Sequence, residues 1–540
     1  MVDLKAKPFN LTDEDIVWVE GTIGEMTLDE KIGQLFINLG SSFEKEYLNR
    51  IVTEYHVGGV RYNPGTAAQV YEQNVYMQDK AKIPLLVATN VEAGGNGACL
   101  GGTLVGAPVA IGATGDPRFA YEMGRVAGVE GAAVGCNWSF APVVDINYNW
   151  RNSVAATRCF GDNPDTVLSM SLEYLRGIWE SGFACAAKHF PGDGVDERDQ
   201  HLLTTVNSMD CETWDNTYGK VYRGLIDGGV QSIMVGHIMQ PAYSRKLNPA
   251  LKDEEILPAS ASKELLGGLL REKLGFNGVI LTDASNMGGF ISAMKREDLV
   301  PGAIAAGCDM FLFFSDPKED LEFMRRGLER GIITEERLDD ALRRILGLKA
   351  SIGLHKKKTA GTLVPPVEGL SVVGCEEHQK IAARTANRSI TLVKNTRGQI
   401  PLCPSKYRRA LLIMLGGEEI FFGQALKRCG ETVRKELEAA GFIVEEYESP
   451  VEISRKNGER VPTFMEMLSA KQSVRAFKEK YDAVFLFADV QGFGQQNPLR
   501  IKWGSPVGRD IPWYATEVPT VFVSLNAPFH LADVPMVKTM

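Results

Sequence analysis

Short apolar runs, rich in β-branched residues, punctuate the chain at residues 34–39, 58–62, 84–89, 138–145, 184–189, 232–237, 278–282 and 310–314. Between them lie stretches such as 164–180, 262–274 and 317–330, in which apolar residues return at helical spacing. Runs this short suit strands buried on both faces, and amphipathic stretches this long suit the crossover helices that parallel strands require. Eight such strand and helix units in succession predict an α/β fold, a (β/α)8 TIM-type barrel. A last helix over 334–352, with Leu338, Leu342, Ile345 and Leu348 on one face, is expected to close that domain. Its capping box is imperfect, because Arg337 stands where Glu or Gln would complete it.

Beyond residue 354 the pattern changes. The segment HKKKTAGTLVPPVEG is basic, then contains Pro and Gly, and shows no periodicity, as a surface linker would. Strand signals resume at 389–394, 410–415, 483–488 and 520–525, with helices expected over 423–440 and 463–480. The expected organisation is a barrel domain over 1–354, a linker and connecting helix over 355–388, and a smaller doubly wound α/β sandwich over 389–540. The chain stops at Lys538-Thr539-Met540 soon after an apolar strand, so the sandwich is expected to fall short of its full set of strands.

Composition then narrows the function classes. At 540 residues, with 44% hydrophobic and 24% charged positions, the chain can bury more than one core. A net charge of −9 with dispersed Lys and Arg lacks the basic footprint that a phosphate backbone demands, so no nucleic-acid partner is expected. The stretch MVDLKAKPFNLTDEDIVW has no apolar targeting core, and no later segment is apolar enough to span a bilayer; both predict a cytoplasmic protein with no membrane partner. Nine cysteines without CxxC spacing, among them Cys136, Cys185 and Cys308 in apolar runs, fit buried thiols in a reducing compartment.

In a parallel barrel the active site forms at the carboxyl ends of the strands, so polar residues that end apolar runs come first. Asn90 and Glu92 follow the third run, Asp145 ends the fourth, Lys188 and His189 the fifth, His237 the sixth and Asp283 the seventh. Any one of them, Asp145 and His237 especially, could instead cap a helix or tie a loop. A Lys-His pair ending an apolar run needs a partner in the barrel mouth. Asp283, in GVILTDASNMGG, is delivered to the rim by apolar residues and followed by small ones that leave room for a sugar. Glycosidic cleavage takes one carboxylate at the anomeric centre and a separate group to protonate the leaving oxygen. The polar loop from Lys188 to Asp210 offers Asp199 and His201, two positions apart, where the carboxylate could hold one imidazole nitrogen and free the other for proton transfer. Gly192 and Gly194 read as flexible points of that loop. Spacing alone does not separate this dyad from a solvated loop histidine beside a carboxylate.

The strings KHFPG at 188–192, DQH at 199–201 and Thr282-Asp283-Ala284 resemble glycoside hydrolase family 3, and within it the bacterial β-N-acetylglucosaminidase (β-hexosaminidase) branch. In that branch a KHFPGHG motif is followed, at the same distance, by an Asp-x-His dyad. APVVD at 141–145, RCFG at 158–161, GHI at 236–238 and the segment 389–395 are also similar to family segments, and the resemblance spans roughly residues 28–538. It implies a retaining, exo-acting hydrolase with Asp283 as nucleophile and Asp199 with His201 as acid/base. It also implies sugar contacts from Arg158, Lys188 and His189, and substrate-binding places for Asn90, Glu92, Asp145 and His237. The substrate would be a small glycoside with a terminal β-linked N-acetylglucosamine or a similar sugar; no cofactor and no metal are implied, and the oligomeric state, a dimer included, stays open. Three positions depart from the branch: Asn90 replaces an Asp, Gly95-Asn96-Gly97 stands where an Arg is common, and Asp193 replaces a second loop histidine.

Rival readings are a metal-dependent barrel hydrolase using His189, His201, His237 and Asp283, and a catalytically silent carbohydrate-binding protein. The first run lacks the His-x-His usual in such metal barrels. Within the family, a β-glucosidase, a β-xylosidase or a β-glycoside phosphorylase are the alternatives, since an imidazole acid does not repel phosphate as a carboxylate would.

Overall fold

The computed structural model of the chain describes residues 2–62, 65–416, 420–421, 424–425, 429–469, 473–490, 500–501, 503 and 511–540. Two compact units emerge, Met1–Ile390 and Thr391–Met540. In the first, strands β1 (Phe36–Gly40), β2 (Gly59–Tyr62), β3 (Leu86–Thr89), β4 (Trp138–Ser139), β5 (Ala184–Phe190), β6 (Ser232–Val235), β7 (Val279–Ala284) and β8 (Met310–Leu312) form a closed barrel. Every pairing is parallel, and β8 returns to β1 through Phe36 opposite Phe311. The (β/α)8 expectation therefore holds, with crossover helices such as Pro164–Trp179 and Pro317–Glu329 where helical spacing placed them.

The strand ends carry the departures that matter. The run 138–145 yields a ladder of only Trp138–Ser139, because Pro142 has no N–H to give. The chain runs on extended, and two bonds rejoin it to β5: Lys188 N to Pro142 O and Val144 N to Lys188 O. In β5 the register against β6 slips at His189, with Lys188 opposite Met234 and Phe190 opposite Val235. Successive residues of a regular strand face opposite ways, whereas a bulge re-aims one of them. Lys188 and His189 can thus both serve the rim.

A large continuous apolar cluster fills most of this unit, with Cys99, Cys136, Cys185 and Cys308 within it, and Val143, Ala155 and Cys159 form a small separate one. None of the nine cysteines is in a disulfide, but the expectation of buried thiols holds only in part: Cys159 is also buried, Cys211, Cys375 and Cys429 are half-buried, and Cys403 is exposed. The helix Glu335–Ser351 is capped by the Thr334 side chain, which accepts from Arg337 N without the reciprocal half of a box. The segment read as an aperiodic linker forms a helix, Leu354–Ala360, which buries His355 against Asp15 (2.9 Å), and is followed by the helix Glu376–Ser389. No helix among the described residues is long and apolar enough to cross a membrane.

The second unit holds β9 (Arg409–Gly416), β10 (Ile443–Glu446), β11 (Ala483–Asp489) and β12 (Thr520–Ser524), all parallel, in the spatial order β10-β9-β11-β12. That order is doubly wound, and alternate residues of β9 and β11 feed two separate apolar clusters: Leu411, Ile413, Val484 and Leu486 on one face, Ala410, Leu412 and Phe485 on the other. The strand expected at 389–394 is absent: Ser389 ends a helix, and Val393 and Lys394 donate backbone bonds to Met540 instead. Of the helices, 423–440 is observed as Gly430–Ala439, the residues before it lying partly outside the described ones. The stretch 463–480 is observed as Phe464–Ser469 and Val474–Lys480, with 470–472 outside them.

Candidate active site

Glu92, just past β3, gathers two cations. Its carboxylate accepts from Arg158 Nε (2.9 Å) and Nη2 (2.7 Å) and lies 2.6 Å from Lys188 Nζ. Burial alone would raise its pKa, but the two positive charges outweigh burial and hold it well below the usual carboxylate range. Burial lowers the Lys188 ammonium, with the Glu92 charge pulling the other way. The side chains of Glu92 and Arg158 keep 14% and 27% of their surface exposed, so this trio still offers donors and acceptors to a ligand.

At the end of β5, His189 is oriented by Asp145: Nδ1 meets Oδ2 at 2.7 Å, and the His189 backbone N–H donates to Oδ1. Its Nε2 then faces Asp283 Oδ2 at 3.8 Å. Asp283 ends an apolar stretch of β7; burial pushes its carboxyl up, and electrostatic interaction with its neighbours, His189 first, brings it down to about 2. It is therefore an ionised, buried carboxylate with an exposed edge at neutral pH, the state a nucleophile needs.

The loop after β5 comes to this carboxylate. His201 Nδ1 lies 2.6 Å from Asp199 Oδ1, which also accepts the His201 backbone N–H. Gly288 N donates to His201 O and Gly289 N to Gln200 O, docking the loop onto the turn that follows Asp283. A Cβ at Gly288 would lie 2.1 Å from Leu202 O, so that docking requires glycine. Among the described residues, His201 Nε2 has no protein partner. The flexible reading of Gly192 and Gly194 is corrected. Both have positive φ, and a Cβ would strike the Tyr218 ring or Ile146 O at 2.1 Å, so they permit close packing rather than motion.

Other expected residues sit differently. His237 is fully buried and both ring nitrogens are engaged, Nδ1 with Ser260 Oγ (2.8 Å) and Nε2 with Ala284 O (3.0 Å), so it braces β7 and is not a sugar contact. Burial lowers it to about 4, which keeps it neutral near pH 7. Asp145, fully buried, orients His189 and does not face a ligand. Asn90 is half-buried, and its Oδ1 is a buried acceptor that finds no hydrogen-bond partner among the described residues. Sequence reasoning missed Asn152, Ser153 and Gln200, whose contacts with Asp193 and Asp199 arise only when the loops after β4 and β5 meet.

A parallel β/α barrel with an ionised aspartate at the tip of β7, cations beside it and an imidazole–carboxylate pair on the loop after β5 has the make-up of a glycosidase. The match is specific: residues 27–348 fit the model of the glycosyl hydrolase family 3 N terminal domain, and the chain belongs to that family of glycoside hydrolases. It is 43% identical over its whole length to "Beta-N-acetylglucosaminidase/beta-glucosidase" of Cellulomonas fimi, covering 93% of that protein. Among solved structures it is similar to "Beta-glucoside phosphorylase BglX" (37% identity, TM-score 0.89, 99% of this chain and 92% of that one). It is also similar to a family 3 β-N-acetylglucosaminidase from Paenibacillus sp. str. FPU-7 (28% identity, TM-score 0.77, 95% and 93%).

Proposed function

We propose that this enzyme is a retaining exo-β-glycosidase that removes a terminal β-linked N-acetylglucosamine or glucose from a small glycoside. Asp283 attacks the anomeric carbon. The C1–O bond breaks toward the leaving oxygen, which takes the proton of His201 Nε2, leaving a glycosyl–Asp283 ester. Water then attacks C1, yields its proton to Nε2, and the carboxylate departs. Asp199 holds the imidazole in the right tautomer and balances its charge. Arg158, Lys188, His189, Glu92 and Asn90 bind hydroxyls around the ring. The observation that supports this reading best is the Asp199–His201 pair on a loop bonded to the turn after Asp283. The choice of sugar follows the relatives' names, and Asn90 in place of a charged acceptor suits a site that discriminates weakly.

The test uses p-nitrophenyl β-N-acetylglucosaminide, β-glucoside and β-xyloside. Turnover of the first two is expected, and Asp283→Ala is expected to abolish it. His201→Ala should lose roughly 10²- to 10⁴-fold on poor leaving groups and far less on acidic phenols. Equal losses on both would sink the acid role. Phosphorolysis is the second reading, favoured by an imidazole acid that does not repel an anion and by the likeness to a β-glucoside phosphorylase. In that case a phosphate oxygen replaces water in the second step, and sugar 1-phosphate accumulates when phosphate is supplied.

A further inference from the structure

Asp193 stands where the resembled branch has a histidine, and its carboxylate is 2% exposed in a cluster that joins three segments of the rim. Its Oδ1 accepts from Asn152 Nδ2 (2.7 Å) and Gly194 N (2.7 Å), and its Oδ2 from Gln200 Nε2 (3.2 Å). Neither amide can turn away. Asn152 Oδ1 already accepts from Val154 N and Ala155 N, and Gln200 Oε1 from His237 N. The Asp193 backbone is held as well, its N–H by Asp145 Oδ1 (2.8 Å) and its carbonyl by the Tyr218 hydroxyl (2.5 Å). The loop after β4 adds Asn149 N to Gly194 O (2.8 Å) and Ser153 Oγ to Asp199 Oδ2 (3.2 Å). Gln200 is the residue between Asp199 and His201, so every tie on Gln200 fixes the pair.

We infer that Asp193 is a positioning residue: through Asn152 and Gln200 it pins the Asp199–His201 pair in place before any sugar arrives. A loop whose Asp193 and Gln200 side chains are already bonded to each other and to Asn152 and His237 spends less substrate binding energy on being ordered, which favours short glycosides that bring few contacts. Burial first, then the charge of Asp145, raises the Asp193 carboxyl to about 8; the site tolerates that burial only while all three donors converge on it. The inference rests on the reading of His201 as acid/base.

The experiment compares Asp193→Ala, Asp193→Asn and Gln200→Ala with His201→Ala, using hydrogen exchange of the intact enzyme and kcat/KM for aryl glycosides of graded leaving-group acidity. Asp193→Ala and Gln200→Ala should speed exchange of amides 193–204 by at least about tenfold while barrel strands stay unchanged. They should lower kcat for poor leaving groups by roughly ten- to a hundredfold, with little change for acidic phenols. Asp193→Asn keeps one acceptor and should fall between. Unchanged loop exchange overturns the inference, whatever His201 does. Faster exchange with equal losses on good and poor leaving groups, while His201→Ala discriminates between them, overturns it too, leaving Asp193 a merely structural residue. If His201→Ala itself fails to discriminate, the acid assignment falls, and the exchange data alone decide whether Asp193 pins the loop. Should Asp193→Ala not fold, Gln200→Ala, which removes one neutral hydrogen bond at each end, carries the same test.

Discussion

Glu92 bonds both Lys188 and Arg158, and Lys188 is only 3% exposed. Glu92→Gln would leave two cations facing each other with no anion between them. Removing one partner of a buried ion pair costs far more than the pair contributes, and with Arg158 partly open to water the expected loss is about 2–3 kcal/mol. Thermal unfolding should show a lower midpoint for Glu92→Gln, partly restored in Glu92→Gln/Lys188→Met, because the double variant removes the more deeply buried of the two orphaned charges. An additive double variant would mean that the trio is not coupled. Lys188, His189 and Asp283 were legible because each ends an apolar run. Their grouping with Arg158 was not, since a residue in a long loop gives no sign of where it folds back, and only the family resemblance pointed to it.

At the scale of elements, the least legible contact joins the helix Arg118–Ala133 to the glycine-rich loop after β3 and to the last helix of the first unit. Glu130, fully buried, accepts from Thr103 N and Oγ1 (2.7 Å each), from Gly374 N (3.0 Å) and from His378 Nδ1 (2.7 Å). A Cβ on Gly95 would lie 1.9 Å from its Oε2, so the loop carrying Asn90 and Glu92 lies directly against it. Glu130→Gln would turn a donor toward groups that themselves donate. We expect a stability loss of about 2–3 kcal/mol and faster amide exchange in both 93–106 and 374–378. Exchange altered in one segment but not the other would show that Glu130 does not couple them. Nothing in the sequence marks Glu130, because its partners are distant in the chain. Element errors have local causes. The run 389–394 has strand composition, yet Ile390, Leu392 and Val393 are 80%, 56% and 59% exposed, and the preceding helix extends to Ser389. The edge strand β10 escaped notice because Ile443-Val444-Glu445-Glu446 is too short and polar to show a period.

For the whole molecule, the barrel was countable because eight doubly buried strands must each be apolar, whereas the opposite, amino-terminal end of the barrel gave no comparable sign. There Lys349, in the helix Glu335–Ser351, is fully buried, with its Nζ donating to Gln34 Oε1 at 2.7 Å and Gln34 Nε2 donating to His56 O. Burial, with no acidic partner to oppose it, lowers this amine from 10.5 to about 7. Between pH 7 and 10.5 the unfolded chain holds a proton on this lysine that the folded one lacks, so its destabilising effect shrinks as pH rises and is greatest below pH 7. Lys349→Met, which retains the length of the apolar stem, is expected to stabilise the enzyme at pH 7, by at most about 4 kcal/mol. Denaturant titrations of both proteins at pH 7 and pH 9 should show the gap narrowing by about 2 kcal/mol, while ionisations common to both cancel in the difference. A pH-independent gap would mean that Lys349 stays charged in the folded state. The site lies at the other end of the strands, so kcat/KM should not change with this substitution.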